Sequence, residues 1–350
     1  FESLGDLFAA LPAMIRMRAW RSIYQLASRH FKSEKLRQVF SFHPLLIGGN
    51  PMSVTSVYSL IPSLERIHGV HSAMGGTGAI VAAMADLIRD LGGTIRLHAE
   101  VTRIRVVDRR ARGVTLQGGE TLDADIVVSN ADSAWTYRHL LKAEPRRVWT
   151  DRKVDRAAYS MGLFVWYFGT RKRYPDVPHH MILLGPRYRE LLADIFDRKV
   201  LADDFSLYLH RPTATDPSLA PSGCDTFYAL APVPHLDSGT DWSAQAEPMR
   251  QAVARRLSET VLPGLEENLQ TSKVVTPQTF HDRLWSYKGA GFGQEPLLLQ
   301  SAWFRPHNRS EDIEGLYMVG ASTHPGAGVP GVLMSAKALE TVIPHVDSFR

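Results

Sequence analysis

An α/β fold carrying mixed α+β insertions is what this sequence predicts, and three stretches predict it. The first is a short apolar run at 316–319, then the turn Gly320-Ala321-Ser322-Thr323-His324-Pro325-Gly326-Ala327-Gly328-Val329-Pro330-Gly331, then an amphipathic helix over 332–346. Strand, glycine-rich turn and helix, in that order, present main-chain N–H groups to a ligand. The second is Gly75-Gly76-Thr77-Gly78 leading into a helix over 79–91, followed by strand-like runs that end at 126–129. The third is a middle section, 134–305, in which long apolar strands alternate with helices.

With 350 residues, 44% of them apolar, the chain can bury a large core and fill more than one domain. Its best apolar run, 162–169, has the length of a strand and falls far short of crossing a bilayer. No secretory signal segment is read either. A single cysteine, Cys224, rules out an internal disulfide and fits a reducing compartment. The formal charge is +4, but the basic residues are scattered, without the basic and aromatic stripe of a nucleic-acid binder. Such a balance also suits an anionic membrane surface.

Taken in order, 1–31 reads as helix broken near Pro12. Its second half sets Met14, Ile15, Met17, Trp20, Ile23 and Tyr24 beside Arg16, Arg18 and Arg21. That is the pattern of a helix lying on anionic lipid, and equally of a surface helix with one core face. Two further helices are read at 34–47 and 54–67, the second interrupted at Pro62. After the helix at 79–91, stopped by Gly92-Gly93, strand character returns at 94–97, 101–107, 113–116 and 126–129, with a hairpin at Gly118-Gly119. The middle section offers strands at 161–168, 206–210 and 227–233 and helices at 186–196 and 243–262. This divides the chain into a helical region (1–70), part of a nucleotide-binding domain (71–133), an inserted domain (134–305) and the remainder of the first domain (306–350).

Gly326, Gly328 and Gly331 let the main chain approach a flat or anionic partner, and Pro330 suits the first turn of a helix. Asp132 reads as a plain N-cap, or with Asn130 as the lining of a crevice at the carboxyl ends of strands. His68 with His71, and His179 with His180, lack a converging set of cysteine or carboxylate partners, so no metal centre is expected. A hydrolase of the G-x-S-x-G type is unsupported.

Longer strings add a resemblance. They are Phe40-Ser41-Phe42-His43-Pro44-Leu45-Leu46-Ile47-Gly48-Gly49-Asn50-Pro51, the Gly75 cluster, Ser129-Asn130-Ala131-Asp132, Phe205-Ser206-Leu207-Tyr208-Leu209-His210, Ala231-Pro232-Val233-Pro234-His235-Leu236, Gln300-Ser301-Ala302-Trp303-Phe304-Arg305-Pro306-His307-Asn308, and the turn at 320–331. With these the chain resembles the carotenoid desaturases, above all those bacterial ones that desaturate phytoene, over essentially its whole length. The residues at 71–74 depart from the family pattern, which has an aromatic and a proline there.

The resemblance implies an amine-oxidase-like, two-domain flavoprotein that binds FAD. The family's opening dinucleotide-binding βαβ is not in this sequence, which starts at Phe1; the 350 residues alone are therefore expected to retain little flavin. As cofactor-binding positions it implies Gly75, Gly76, Val101, Asn130, Gly320, Ala321, Gly326, Gly328, Pro330 and Gly331, with 326–331 at the isoalloxazine end. As acid–base candidates it offers Asp6, His324 and Arg305, with His307 beside them. The implied substrate is a long apolar carotenoid drawn from the membrane surface by a cytoplasmic, peripherally attached enzyme. A quinone or oxygen would take the electrons, and 163–168 reads as a core strand or the lining of a hydrocarbon tunnel. Two rival readings stand: a desaturase or isomerase of another carotenoid, and an inactive fragment that binds lipid or carotenoid.

Overall fold

The computed structural model describes residues 4–349, in two units. One comprises Phe1–Leu64, His98–Met161 and Phe280–Arg350; the other comprises Glu65–Leu97 and Gly162–Thr279. In chain order the elements begin with α1 (Leu4–Arg16), α2 (Ile23–His30), α3 (Glu34–Val39), α4 (Leu60–His68) and α5 (Thr77–Asp90). Strands β1 (Val101–Val107), β2 (Arg110–Leu116), β3 (Thr121–Asp123) and β4 (Val127–Ser129) follow, then α6 (Ser133–Trp135) and α7 (Asp151–Arg156). Next are β5 (Gly162–Thr170), β6 (His180–Leu183), α8 (Tyr188–Ala193), β7 (Leu207–His210), β8 (Asp225–Val233), α9 (Trp242–Thr260), α10 (Leu265–Asn268) and β9 (Leu269–Val275). The chain closes with α11 (Pro277–Leu284), β10 (Leu316–Met318), α12 (Val329–Lys337) and α13 (Leu339–Val342).

Prolines do not interrupt the helices where expected. Helix α1 continues through Pro12, and the break comes after Arg16. The carbonyl that Pro12 cannot serve is that of Phe8, a residue 69% exposed and so open to solvent. Pro62 is the third residue of α4, in the first turn, where no N–H partner is needed. The helix expected at 34–47 does divide, into α3 and a 3-10 turn at His43–Ile47 that opens beside Pro44. Ser22 and Gln25 cap α2 reciprocally, each side chain accepting from the other's main-chain N–H at 3.1 Å. That cap turns Ile23 and Tyr24 inward, to 1% and 4% exposure, so these two leave the lipid-facing set.

In the first unit β1, β2 and β3 form an antiparallel sheet, with Gly118 and Gly119 in positive-φ conformations at the turn. β4 pairs with β10 in parallel, Val127 against Leu316 through Ser129 against Met318. Ile104, Tyr137, Leu141, Trp149, Leu316 and Met318 form the core between these elements. The strand expected at 94–97 is not formed. Its Leu97 is 75% exposed, and no described strand lies alongside to pair with it.

The second unit is built on an antiparallel sheet of order β6-β7-β8-β5-β9. One face packs Phe164, Trp166, Phe168, Phe227 and Leu209 against Val253 and Leu257 of α9. Alternate residues of β8 are buried, as a strand with a single core face requires. The opposite face carries Leu163, Val165 and Tyr167 of β5, Tyr228 and Leu230 of β8, and Tyr208 and His210 of β7. Of the stretch 134–305, the part 162–279 makes this unit, while 134–161 and 280–305 lie with the first.

Candidate functional site

Two parallel strands that end at the same edge place the residues after them side by side. A Cβ built on Gly320, whose φ is +109°, would stand 2.8 Å from Asn130 Oδ1. The loops after β4 and β10 therefore share the carboxyl edge where open α/β sheets receive ligands. From there the turn at 320–331 is pinned at several points. Gly320 N–H donates to Ser335 Oγ at 2.9 Å, and Thr323 Oγ1 donates back to the Gly320 carbonyl at 2.9 Å. Ser133 N–H donates to Ser322 Oγ at 2.7 Å. Asn308 is buried, its amide nitrogen 3.1 Å from the Met318 carbonyl, 3.0 Å from that of His324 and 3.3 Å from that of Ser335. Neither Asn308 nor Ser335 stands out in the sequence as a site residue. Only the fold reveals that they hold strand, turn and helix together.

The three glycines differ in what they require. Gly331 needs the absence of a Cβ, which would lie 2.6 Å from the Gly326 carbonyl oxygen. At Gly326 and Gly328 the space is open. A Cβ would meet nothing nearer than the Arg305 guanidinium at 3.9 Å or Ile47 Cγ2 at 3.6 Å, and what excludes other residues is φ of +138° and +94°. Pro330 is the second residue of α12, where its missing N–H costs nothing.

Beneath the turn lies Arg305, 2% exposed. Its NH2 group donates to the Ala321 carbonyl at 2.9 Å and to those of Gln294 and Phe292 at 3.3 and 3.4 Å, while its buried Nε has no hydrogen-bond partner. A guanidinium walled in by carbonyls holds backbone in place; it does not exchange protons. Asp132 caps α6, its Oδ1 accepting from Ala134 N–H at 2.8 Å and Trp135 N–H at 3.2 Å. Burial pushes its pKa up to about 6, against the pull of those cap bonds and of Arg305.

A carboxyl raised in the folded state binds its proton more tightly there than in the unfolded chain. Its stabilising contribution is full below about pH 4 and is lost as pH rises through about 6, a difference of about 3 kcal/mol at about 1.4 kcal/mol per pKa unit. Asp132→Asn keeps the cap acceptor. It is expected to flatten this part of the pH profile and to unfold at higher urea than the parent at pH 7 but not at pH 4.

His324 is half-buried, and burial lowers its pKa. It shares a cavity of about 560 Å³ with His307, Asn308, Ser310, Glu311 and Thr341. His307 sits with Nε2 2.9 Å from the Trp303 carbonyl and Nδ1 3.5 Å from Glu311. Asp6 falls within α1, but its side chain lies outside the described residues. Val101 opens β1, partly buried against the first unit's core. Gly75 and Gly76 belong to the second unit, with φ of +82° and +78°; Gly75 N–H donates to Asp216 Oδ2 at 2.6 Å. Gly76 occupies the N-cap of α5. The β6–β7 pairing brings a third histidine, His210, to His179 and His180, so imidazole, not cysteine or carboxylate, is what converges on them.

The profile of the flavin-containing amine oxidoreductases matches residues 9–338. The chain belongs to that family. It is 53% identical to a neurosporene-forming phytoene desaturase of Cereibacter sphaeroides, over 100% of this chain and 68% of that protein. With a lycopene-forming phytoene desaturase of Pseudescherichia vulneris it shares 49% identity, over 98% of this chain and 70% of the relative. Among solved structures, an oxidoreductase from Methanosarcina mazei superposes with a TM-score of 0.66 at 20% identity, covering 96% of this chain and 71% of that one. A putrescine oxidase variant gives 0.59 at 14%, over 94% and 69%. The last two speak for the fold alone. The chain is thus an oxidoreductase of a flavin-using family, and FAD is its cofactor. The residues present fit that group: an open cradle beside Gly326 and Gly328, a helix start behind it, and an unpaired cationic N–H in its wall.

Proposed function

We propose that this chain desaturates phytoene to more conjugated carotenes, and that Asn130, Gly320, Ala321, Gly326, Gly328, Pro330 and Gly331 hold the isoalloxazine end of FAD. The observation that carries the reading is the 46–53% identity to phytoene desaturases across nearly all of its length. When bound, FAD supplies the sink for the hydride that leaves an allylic carbon. The chain's residues do the rest. The start of α12 offers N–H groups and a positive dipole end to the cofactor's electron-rich edge, and the Arg305 guanidinium lends positive charge beneath the turn. His324, whose pKa is lowered by burial, is the proposed acceptor of the proton lost from the neighbouring carbon. Gly75, Gly76 and Val101 are assigned to the remaining length of the cofactor.

A hydrocarbon without polar groups can be held only by burying it. The face of the second unit's sheet opposite α9, with Leu163, Val165, Tyr167, Tyr228 and Leu230, has the apolar and aromatic character of such a floor; Leu163 and Val165 are buried in it and Tyr167 is exposed. The complete reading frame that carries these residues, placed in cells that accumulate only phytoene, is expected to yield a coloured carotene; a colourless extract refutes the proposal.

Entry from a membrane is supported by the surface of α1 and the bend after it. Phe8, Leu11, Ile15 and Trp20 are 69, 47, 55 and 63% exposed, beside Arg16 and Arg18. No described helix is long and apolar enough to cross a membrane, so the proposed attachment lies in the interface. Trp20→Glu is expected to weaken co-sedimentation with anionic vesicles by about tenfold, the equivalent of about 1.4 kcal/mol.

A further inference from the structure

We propose that His179, His180 and His210 form a binding site for a divalent transition-metal ion of the zinc type, separate from the flavin cradle and its chemistry. The three side chains each present a ring nitrogen, and these atoms lie within 4.8 Å of one another. In a tetrahedral zinc site the nitrogens stand roughly 3.3 Å apart, each about 2.0–2.1 Å from the ion, so small side-chain rotations close the set. Topology makes the arrangement firm. His180 opens β6 and His210 ends β7, and the two are register partners in the sheet. His179 is tied in by its carbonyl, which accepts from Arg211 N–H at 2.9 Å.

Outer contacts prepare the ligand atoms. His179 Nδ1 is 2.5 Å from Thr215 Oγ1, and His180 Nδ1 is 2.6 Å from the Tyr208 hydroxyl. Each contact is the kind that fixes the orientation of a metal-binding imidazole. The Nε2 atoms of His179 and His210 face each other at 2.8 Å. His210 Nδ1 is buried and has no hydrogen-bond partner. With the proton of each ring on Nδ1, both Nε2 lone pairs are free, and an ion takes the place between the rings. His180 is exposed, which leaves an approach for the ion and a fourth position for water.

Metal-stripped protein titrated with zinc is expected to bind one ion per chain, and cobalt in its place should give the intense visible bands of a tetrahedral site. His180→Asn, at an exposed position, should leave the metal-free thermal midpoint unchanged and weaken zinc binding at least about tenfold, since even lost outer contacts cost about 10–100-fold. His210→Gln should do the same, and His71→Asn, at the unrelated histidine pair, should do nothing. Failure of the parent protein to bind zinc, or undiminished binding in both His180→Asn and His210→Gln, overturns the proposal.

Discussion

Gly331→Val is expected to abolish flavin retention while leaving a protein that still folds. The reason is the kind of atom that the new side chain meets. A Cβ at this position stands 2.6 Å from the carbonyl oxygen of Gly326 and 3.2 Å from its carbon. Both belong to the main chain, so no rotamer change can relieve the clash, and the turn must move off the start of α12. Overpacking of this kind costs about 1–3 kcal/mol of stability, which a domain of this size survives. The cradle has less tolerance. A loss of about 3 kcal/mol in cofactor binding is more than a hundredfold, at about 1.4 kcal/mol per tenfold. The measurement is the flavin absorbance that stays with the protein through gel filtration, made on the complete reading frame, with urea unfolding as the control for folding. Gly328→Ala provides the contrast: nothing lies nearer than Ile47 Cγ2 at 3.6 Å, and only the φ of +94° is strained. Its loss of flavin should be partial. A Gly331→Val protein that keeps its full flavin spectrum removes the turn from the cofactor site.

That glycine was legible in the sequence because its constraint is local. Strand, turn, proline and helix follow one another within twenty residues, and the backbone geometry follows from their order. The same holds for β5, β7 and β8, whose apolar runs and alternation identify them without any partner. β6 and β9 escaped detection for the opposite reason. The first is a four-residue strand, and the second, Leu-Gln-Thr-Ser-Lys-Val-Val, lies at the sheet edge with its middle in water. What makes each a strand is the neighbour to which it bonds. Long-range pairing also hid the roles of Asn308, which binds three carbonyls 10, 16 and 27 residues further on, and of His210, which meets His180 across a sheet register. Conversely, Pro12 and Pro62 were given too much weight, because a proline's cost depends on which carbonyl it abandons and whether water reaches it.

Arg211→Leu is expected to cost about 3–5 kcal/mol of stability, a large share of what a domain possesses. Asp225 is fully buried at the start of β8, and Arg211 is 3% exposed. Arg211 Nε lies 3.1 Å from Asp225 Oδ2, within ion-pair range although its N–H is not aimed along a hydrogen bond. The carboxylate also accepts from Tyr174 N–H and from Thr213 Oγ1, both at 2.7 Å. The guanidinium donates in addition to the Tyr174 carbonyl at 2.7 Å, to that of Pro175 at 3.3 Å and to that of Val177. Removing Arg211 leaves a carboxylate out of water beside only a half-exposed arginine, Arg173, at 4.0 Å, and frees a loop that three main-chain contacts had held. Asp225→Asn on the same background should restore part of the loss, because it removes the uncompensated charge while keeping the acceptor for Tyr174. Urea midpoints for the parent, both single variants and the double variant decide the matter. Additive effects would mean that the two groups do not act as a pair, whereas recovery in the double variant identifies the buried charge as the cost. Arg211 follows His210 at the end of β7 and binds the His179 carbonyl, and Asp225 opens β8, which carries Tyr228 and Leu230 of the apolar floor, so vesicle-borne substrate turnover and zinc binding should fall with the same variant. Hydrogen exchange should place the loosening at 174–180 and not at the turn of 320–331.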